Sequence, residues 1–363
     1  MVNGIKKIGI ITGGGDCPGL NAVIRAVVKT AVNDFDIEVI GLKDGFEGLM
    51  KKATHKLGYK DASGILSLGG TILGTSNVAN PFRYPCKENG ETVYTDQSDL
   101  ALQNCQEMEL DALICVGGDG TLRIAHQLYQ KGLPVIGVPK TIDNDLSATD
   151  VTFGFDSAIT TATEAIDKLH STAQSHHRVM IIELMGRYAG WITLEAGMAG
   201  GADVILLPEI PYKIDKVCEL VAGRNKKGKR FSIIAIAEGA RAKGGKLSVS
   251  KVVEESTDPI RLGGIGHQLA SQIEEQTGLE CRVTVLGHLQ RGGSPTAFDR
   301  ILGTRFGHHA VQLVAKGRFG QMVSLQGLKI INVSLKKAID TRLVPKNCDL
   351  IKTAKAVGVS FGV

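Results

Sequence analysis

Between Lys7 and Thr12 the chain reads Ile-Gly-Ile-Ile with no polar side chain, so residues 5–12 predict a short buried strand. Glycines interrupt it at 13 to 15. Behind them Leu20, Val23, Ile24, Val27, Val28 and Ala31 recur at helical spacing, with Pro18 suited to the first turn of that helix. The same order of strand, glycine turn and helix returns in ALICVGGDGTLRIAHQL, where Leu113 to Val116 predict the strand and Thr121 opens the helix, and again from Val179 in VMIIELMGRYAGWITLEAG. FSIIAIAEG (231–239) and CRVTVLGHLQRGGSP (281–295) predict further strands that end in glycine-containing loops. Alternating strands and helices predict an α/β protein with parallel sheets and helices on both faces, whose ligands gather at the carboxyl ends of the strands. Nearly every glycine cluster falls at such an end. The acidic stretch VPKTIDNDLSATDVTFGFD (138–156) lies between two sets of these units, which puts a domain change near Phe153.

Composition narrows the class. With 363 residues, 43% hydrophobic and 22% charged, the chain is long enough and apolar enough for two domains with full cores. Its 42 Lys and Arg against 37 Asp and Glu leave a net charge of only +5, spread along the chain, which argues against a nucleic-acid partner. KKGKR at 226–230 is the one dense basic run, and by itself it reads as a solvated loop. No run of eighteen apolar residues occurs and the first apolar run is cut at Gly13, so neither a membrane span nor a signal peptide is expected, and a cytoplasmic location follows. Seven cysteines without a CxxC pair agree with a reducing compartment rather than a disulfide or zinc framework. The pairs His176, His177 and His308, His309 lack the i, i+4 spacing of helical metal ligands.

Two glycine-rich turns, GGGD at 13–16 and GGDG at 117–120, each precede a helix amino terminus, where backbone N–H groups and the helix dipole attract phosphate. Neither is a Walker loop or a GxGxxG fingerprint. Asp119 is placed either to hold Mg²⁺ or to cap its helix. Asp143 and Asp145, two apart in TIDND, point the same way if the segment is extended and divide their tasks between metal and proton if it turns. Arg178, Arg187, Arg282 and Arg291 all follow loops or strand ends, and guanidinium forks suit a phosphorylated sugar. Together these groups describe a phosphoryl-transfer site built on positioning and charge neutralisation.

The motifs GGGDCPGLNAVIR, GGDGT, PKTIDND, TFGFDSA, MGRYAGW, AEG and GHLQRGGSPTAFDR stand in the order and spacing of one family: over about residues 5–310 the chain resembles the 6-phosphofructokinases. The resemblance implies the phosphofructokinase fold, two Rossmann-like three-layer α/β/α domains with mainly parallel sheets. An ATP and Mg²⁺ domain would span 1–154 plus about 290–340, and a fructose 6-phosphate domain 155–289 plus about 341–363. It implies that Asp143 is the base for the sugar 1-hydroxyl, with Asp119 and Asp145 at the magnesium. Gly14, Gly15, Asn77, Gly118, Gly120 and Thr121 would meet the nucleotide. Thr141, Met185, Gly186, Arg187 and Glu238 would meet the sugar, and Arg178, Arg282, His288 and Arg291 its phosphate. In the family the counterparts of Arg178 and Arg282 reach over from a neighbouring subunit, so a homo-oligomer, usually a tetramer, is implied.

Related enzymes use ATP or pyrophosphate. ATP users tend to read GGDG with GTIDND, pyrophosphate users GGDD with KTIDND, and this chain combines Gly120 with Lys140. An aspartate at 120 would put a side chain and a negative charge where the α-phosphate of ATP lies, whereas glycine leaves room, so ATP is the expected donor and pyrophosphate the alternative. Lys140 would instead assist the transferring phosphoryl group. Lys43 stands where a tyrosine near the adenine is common, and Asn77 where an arginine reaches the donor phosphates, so base stacking must come from elsewhere and Lys140 supplies charge in place of that arginine. Arg25, Lys227 and Lys229 match a nucleotide or phosphoenolpyruvate effector site between subunits, while Lys29, His170 and Asp203 depart from its usual Arg, Arg and Glu. Cys17 replaces a small residue before a helix, either as a stabilised, redox-sensitive thiolate or as a buried filler. A non-catalytic sugar-phosphate-binding subunit would have no need of Asp119, Asp143 and Asp145 together. NAD and diacylglycerol kinases share GGDGT but lack PKTIDND and the MGR and QRGG motifs.

Overall fold

The computed structural model describes residues 4–88, 91–252 and 260–363. Two sheets organise it. The larger has seven strands in the order Lys329–Ser334, Gln321–Gln326, Val135–Pro139, Ala112–Gly117, Lys7–Thr12, Glu38–Leu42 and Thr54–Leu57. Its five inner strands are parallel and only the two edge strands run antiparallel. The smaller sheet, Cys281–Val285, Val179–Leu184, Ser232–Ala237 and Val204–Leu206, is parallel throughout. The larger sheet therefore takes strands from both sides of the smaller one in sequence.

The unbroken apolar runs at 8–11, 113–116 and 233–237 are buried on both sheet faces, as parallel strands under helices must be. A single apolar core joins the sheets, since Ile8, Ile10, Ile114 and Ile136 share it with Met180, Ile182, Ile205 and Ile233. Smaller cores cover the outer faces. The helix Phe155–His176 leads from one sheet to the other directly after Phe153, which is fully buried. No helix among the described residues is long and apolar enough to cross a membrane.

Two local expectations need correction, and a third choice left open by the sequence is decided. The first helix begins at Leu20, after Gly19 in the left-handed region, so Pro18 sits in the turn before it rather than in its first turn. The GGDG helix begins at Asp119, two residues before Thr121. The TIDND segment is a turn, not an extended stretch: Asn144 has φ +51, its Oδ1 accepts the Thr152 N–H at 3.1 Å, and the Thr141 hydroxyl oxygen accepts the Asp143 N–H at 3.1 Å.

The helices Phe155–His176 and Ala297–Ala315 meet at their amino termini through a buried carboxylate. Asp299 Oδ2 accepts both the Ser157 N–H at 2.8 Å and its hydroxyl at 2.7 Å, while Asp156 accepts the Thr296 hydroxyl at 2.6 Å. Asp299→Ala strands two buried donors and should cost about 2 kcal/mol or more, read by chemical denaturation. Burial pushes the Asp299 carboxyl from an ordinary 3.8 up to about 6, so the folded chain holds this proton more tightly than the unfolded one. The stabilisation from that proton is present below the unfolded value and lost as pH rises through the folded value. The stability of wild type relative to Asp299→Asn should therefore fall between those two values, and a flat difference would contradict the burial argument.

Candidate active site

A cleft opens between the carboxyl ends of the two sheets. The larger sheet contributes the turns after Lys7–Thr12, Ala112–Gly117 and Val135–Pro139; the smaller contributes Arg187 after Val179–Leu184 and Arg291 after Cys281–Val285. Gly14, Gly15, Asn77, Gly118, Asp119, Gly120, Thr121, Lys140, Thr141, Asp143, Asp145, Arg187 and Arg291, all expected from the sequence, line it together.

The glycine turn is fixed from both sides. Gly13 donates to Val116 O at 2.9 Å, Gly14 donates to Ser76 O at 3.2 Å, and the Thr75 hydroxyl donates back to Gly14 O. Gly14 has φ +78, and a Cβ there would stand 3.4 Å from Lys140 Nζ and 4.0 Å from Asn77 Oδ1. Lys140 and Asn77 thus flank the same turn, as an exchange of positive charge between the two positions requires. Lys140 is buried, its ammonium donates to Gly15 O, and burial lowers its pKa to about 8.

Three carboxylates share the cleft. Asp143 is buried, and its Oδ1 has no hydrogen-bond partner among the described residues. Asp145 is half-buried, and loss of water, then the charges of Asp143 and Asp119, push its carboxyl up to about 7. Asp119 is the first residue of its helix and Gly118 holds the capping position, so Asp119 does not stand where a capping side chain would. No group of three or more His, Cys, Asp or Glu among the described residues closes into a metal cage. Crowded carboxylates with an unpartnered oxygen fit Mg²⁺ nonetheless, since magnesium takes one or two carboxylates and completes its shell with water and phosphate oxygens.

Across the cleft, Glu238 Oε1 accepts the Arg187 N–H at 2.9 Å and the Gly186 N–H at 3.3 Å, which sets the MGR turn. Burial raises the Glu238 carboxyl to about 7. A Cβ at Gly239 would lie 2.0 Å from Arg187 O, so only glycine lets the two loops approach. Met185 N–H donates to the buried Gln290 Oε1 at 2.9 Å, and Arg291 Nη1 to Asp16 O at 3.0 Å, tying these loops of the smaller sheet to the first glycine turn.

Met185, Gly186, Glu238 and His288 stand beside the cleft rather than in its wall, and Arg178 and Arg282 stand apart from it. Both arginines sit at the amino ends of their strands and share Glu280, Arg178 Nε at 2.6 Å. Six residues of strand rise about 20 Å, which is the gap between Arg178 and Met185 on one chain.

Phe46, Ser76, Ala79 and Ile124 also line the cleft and escaped sequence reasoning. Phe46, Ala79 and Ile124 are the apolar portion of an otherwise polar wall, and Phe46 supplies an aromatic ring while Lys43 stays exposed. The pattern of buried apolar residues that marks a core also describes them, so no sequence signal set them apart.

Of the two readings of Cys17, the buried filler holds: the side chain is fully buried, its thiol donates to Phe153 O, and burial pushes its pKa up to about 12. Cys17 is a packing residue. Among the effector-site positions, Asp203 pairs with Arg224 at 2.7 Å and His170 Nε2 meets Gly200 O at 2.7 Å, while Lys227 and Lys229 are exposed after the helix Ile214–Lys226.

The sequence model of the family described as Phosphofructokinase matches residues 7–314. A curated relative from Clostridium perfringens, "ATP-dependent 6-phosphofructokinase 2", is 54% identical over 99% of this chain and 100% of its own length. "ATP-dependent 6-phosphofructokinase" from Chloroflexus aurantiacus is 51% identical over 100% of this chain and 99% of its own. Among solved structures, Pichia pastoris phosphofructokinase in the T-state matches with TM-score 0.78 and 33% identity, covering 93% of this chain and 36% of that one. The pyrophosphate-dependent phosphofructokinase of Nitrosospira multiformis shares the fold at TM-score 0.81 and 20% identity, over 98% of this chain and 92% of that one. With its family motifs assembled around one cleft, the chain belongs to the phosphofructokinase family.

Proposed function

We propose that this protein is an ATP-dependent 6-phosphofructokinase, transferring the γ-phosphoryl group of ATP to the 1-hydroxyl of fructose 6-phosphate and releasing fructose 1,6-bisphosphate and ADP in glycolysis. The observation that carries this reading is Asp143, a buried carboxylate with an unpartnered oxygen between two glycine turns and two arginines.

In this reading the sugar hydroxyl oxygen attacks the γ-phosphorus, the bond to the β,γ-bridging oxygen breaks, and the hydroxyl proton passes to Asp143 Oδ1. The N–H groups at Gly15 and Gly118 to Thr121 cradle the donor phosphates, while Gly14, its own N–H held by Ser76 O, lets the backbone approach them. Lys140 and Arg187 offset the charge that spreads over the transferring group. Asp119 and Asp145 would hold Mg²⁺, which supplies charge neutralisation on the donor phosphates. Thr141, Gly186, Met185 and Glu238 seat the sugar, while His288 and Arg291 meet its phosphate.

Gly120 and the names of the relatives above support ATP over pyrophosphate. For the nucleobase, Phe46, Ala79 and Ile124 offer the apolar wall that Lys43 does not. The placement of Arg178 and Arg282, a strand's length from their own MGR turn, supports their serving a neighbour's pocket in a homo-oligomer, as in the family's tetramers. The nucleotide lobe would comprise 1–154 and about 290–340, the sugar lobe 155–289 and about 341–363. Arg25, Lys227 and Lys229 would form an effector site between subunits with altered ligand preference, and the location is cytoplasmic.

Fructose 1,6-bisphosphate formation should proceed with Mg²⁺ and ATP and not with pyrophosphate; product with pyrophosphate alone would overturn the donor assignment and make Lys140 the deciding residue. Asp143→Ala should lower kcat by about three powers of ten or more with little change in substrate affinity, and a near wild-type kcat would remove Asp143 as the base. Co-refolding inactive Asp143→Ala with Arg282→Ala should restore measurable activity, because a shared site regains one intact copy from the two chains. Mixtures no more active than either parent would place Arg282 outside the neighbour's site.

A further inference from the structure

The segment after the last strand of the larger sheet runs back along the acidic turn and ends against the sugar-binding half. Leu146 and Thr341 form an antiparallel bridge. Arg342 N–H donates to Asp145 O at 2.7 Å, and Ser147 N–H to Asp340 O at 3.0 Å. The Arg342 guanidinium then closes over the same loop, Nη1 donating to Thr149 O at 3.0 Å and to Asp150 O at 2.6 Å. Its other face lies 4.5 Å from the ring of Trp191, whose Nε1 donates to Arg342 O at 3.1 Å. Two residues on, the strap is held again, because Glu209 Oε1 accepts the N–H groups of both Val344 and Gly190 at 2.9 Å.

Trp191 is the first residue of the helix that follows Met185 to Gly190, so one arginine is bonded at once to the loop that carries Asp143 and Asp145 and to the loop that carries Arg187. The two loops belong to different sheets. A hydroxyl on a sugar held by one loop has to meet a carboxylate held by the other within hydrogen-bond reach, and about 1 Å of misplacement can cost about a hundredfold in rate. We propose that Arg342 is a positioning residue for phosphoryl transfer, holding the acidic turn in register with the MGR turn through Trp191. The proposal rests on the reading of the cleft given above, and Arg342 acts through the loops rather than on substrate. Its burial beside Trp191 fits this role: the guanidinium is flat, donates along its edge to two carbonyls and stacks by its face, which an ammonium cannot do at once.

Trp191 is the only tryptophan in the chain, so its emission reports the strap directly. In folded Arg342→Ala the emission should shift to the red as water reaches the indole, and the amides of residues 144–150 should exchange with deuterium faster, by about tenfold. Its kcat, measured well below its unfolding temperature, should fall about thirtyfold, with the KM for ATP changed less than about threefold because the glycine turns keep their own bonds. Arg342→Lys should recover part of the loss. A purely stabilising strap predicts the reverse pattern: a lower Tm with kcat within about twofold of wild type, and that result overturns the proposal. Unchanged emission and exchange in Arg342→Ala overturn it as well. If Arg342→Ala does not fold, Trp191→Phe, which loses the bond to Arg342 O, carries the same expectation for kcat and exchange. Wild-type protein that forms no product with ATP and fructose 6-phosphate would defeat the functional reading alone, because exchange and emission still decide whether Arg342 holds the turn.

Discussion

Three carboxylates and three cations share one cleft, and the rest of the molecule is arranged around keeping them there. Burial and two neighbouring acids raise Asp145, while burial lowers Lys140, so each group is held against its own preference for water. Such a set is tolerable where backbone donors, opposite charges and a ligand share the field, and it would fly apart on a loose scaffold. The scaffold is accordingly stiff: the acidic turn is laced by Thr141, Asn144 and Thr152, and the glycine turn by Ser76 and Thr75.

Parallel strands make that stiffness available at one place. All carboxyl ends of a parallel sheet lie on one edge, so the turns after Thr12, Gly117 and Pro139 fall side by side without any long loop. The second sheet presents its own carboxyl edge, and the two edges meet because one apolar core runs between the sheets. The same logic makes the amino ends remote. Arg178 and Arg282 are consigned to the far edge by the strands that carry Met185 and His288 to the near one, and that geometry favours a site completed by another copy of the chain.

Much of this was legible in the sequence because the residues concerned are punctuation. Glycine turns after apolar runs, with an aspartate at the turn, mark strand ends, and the family resemblance names the rest, Asn77 and Thr141 among them, of the thirteen expected residues that line one cleft. The errors share a cause as well. Helix starts were misplaced by two residues at Thr121 and around Pro18 because backbone conformation at Gly19 and Gly118, not side-chain pattern, sets the start. For Cys17 the sequence leaves a helix-end thiolate and a buried filler open, and the packing of Phe153 and Gly154 against it decides for the filler, because packing across 136 residues has no local signature. Phe46, Ile124 and Arg342 were invisible for the same reason, each being an ordinary residue until the fold gives it a neighbour.

The donor question shows how far a single letter can be trusted. Taken alone, Lys140 speaks for pyrophosphate and Gly120 for a nucleotide. In the structure Lys140 does not project alone into the cleft: its ammonium is tied to Gly15 O and flanks Gly14 opposite Asn77. A cation there neutralises phosphate oxygens at the first glycine turn whichever donor brings them, so it does not discriminate by charge. Discrimination falls to whatever lies beyond those oxygens, where Gly120 leaves space and Phe46, Ala79 and Ile124 give an apolar wall with no phosphate to meet. A pyrophosphate site gains nothing from that wall, whereas a nucleobase buries a ring against it. The apolar lining residues Phe46, Ala79 and Ile124 lie outside every motif and add to Gly120 in support of ATP.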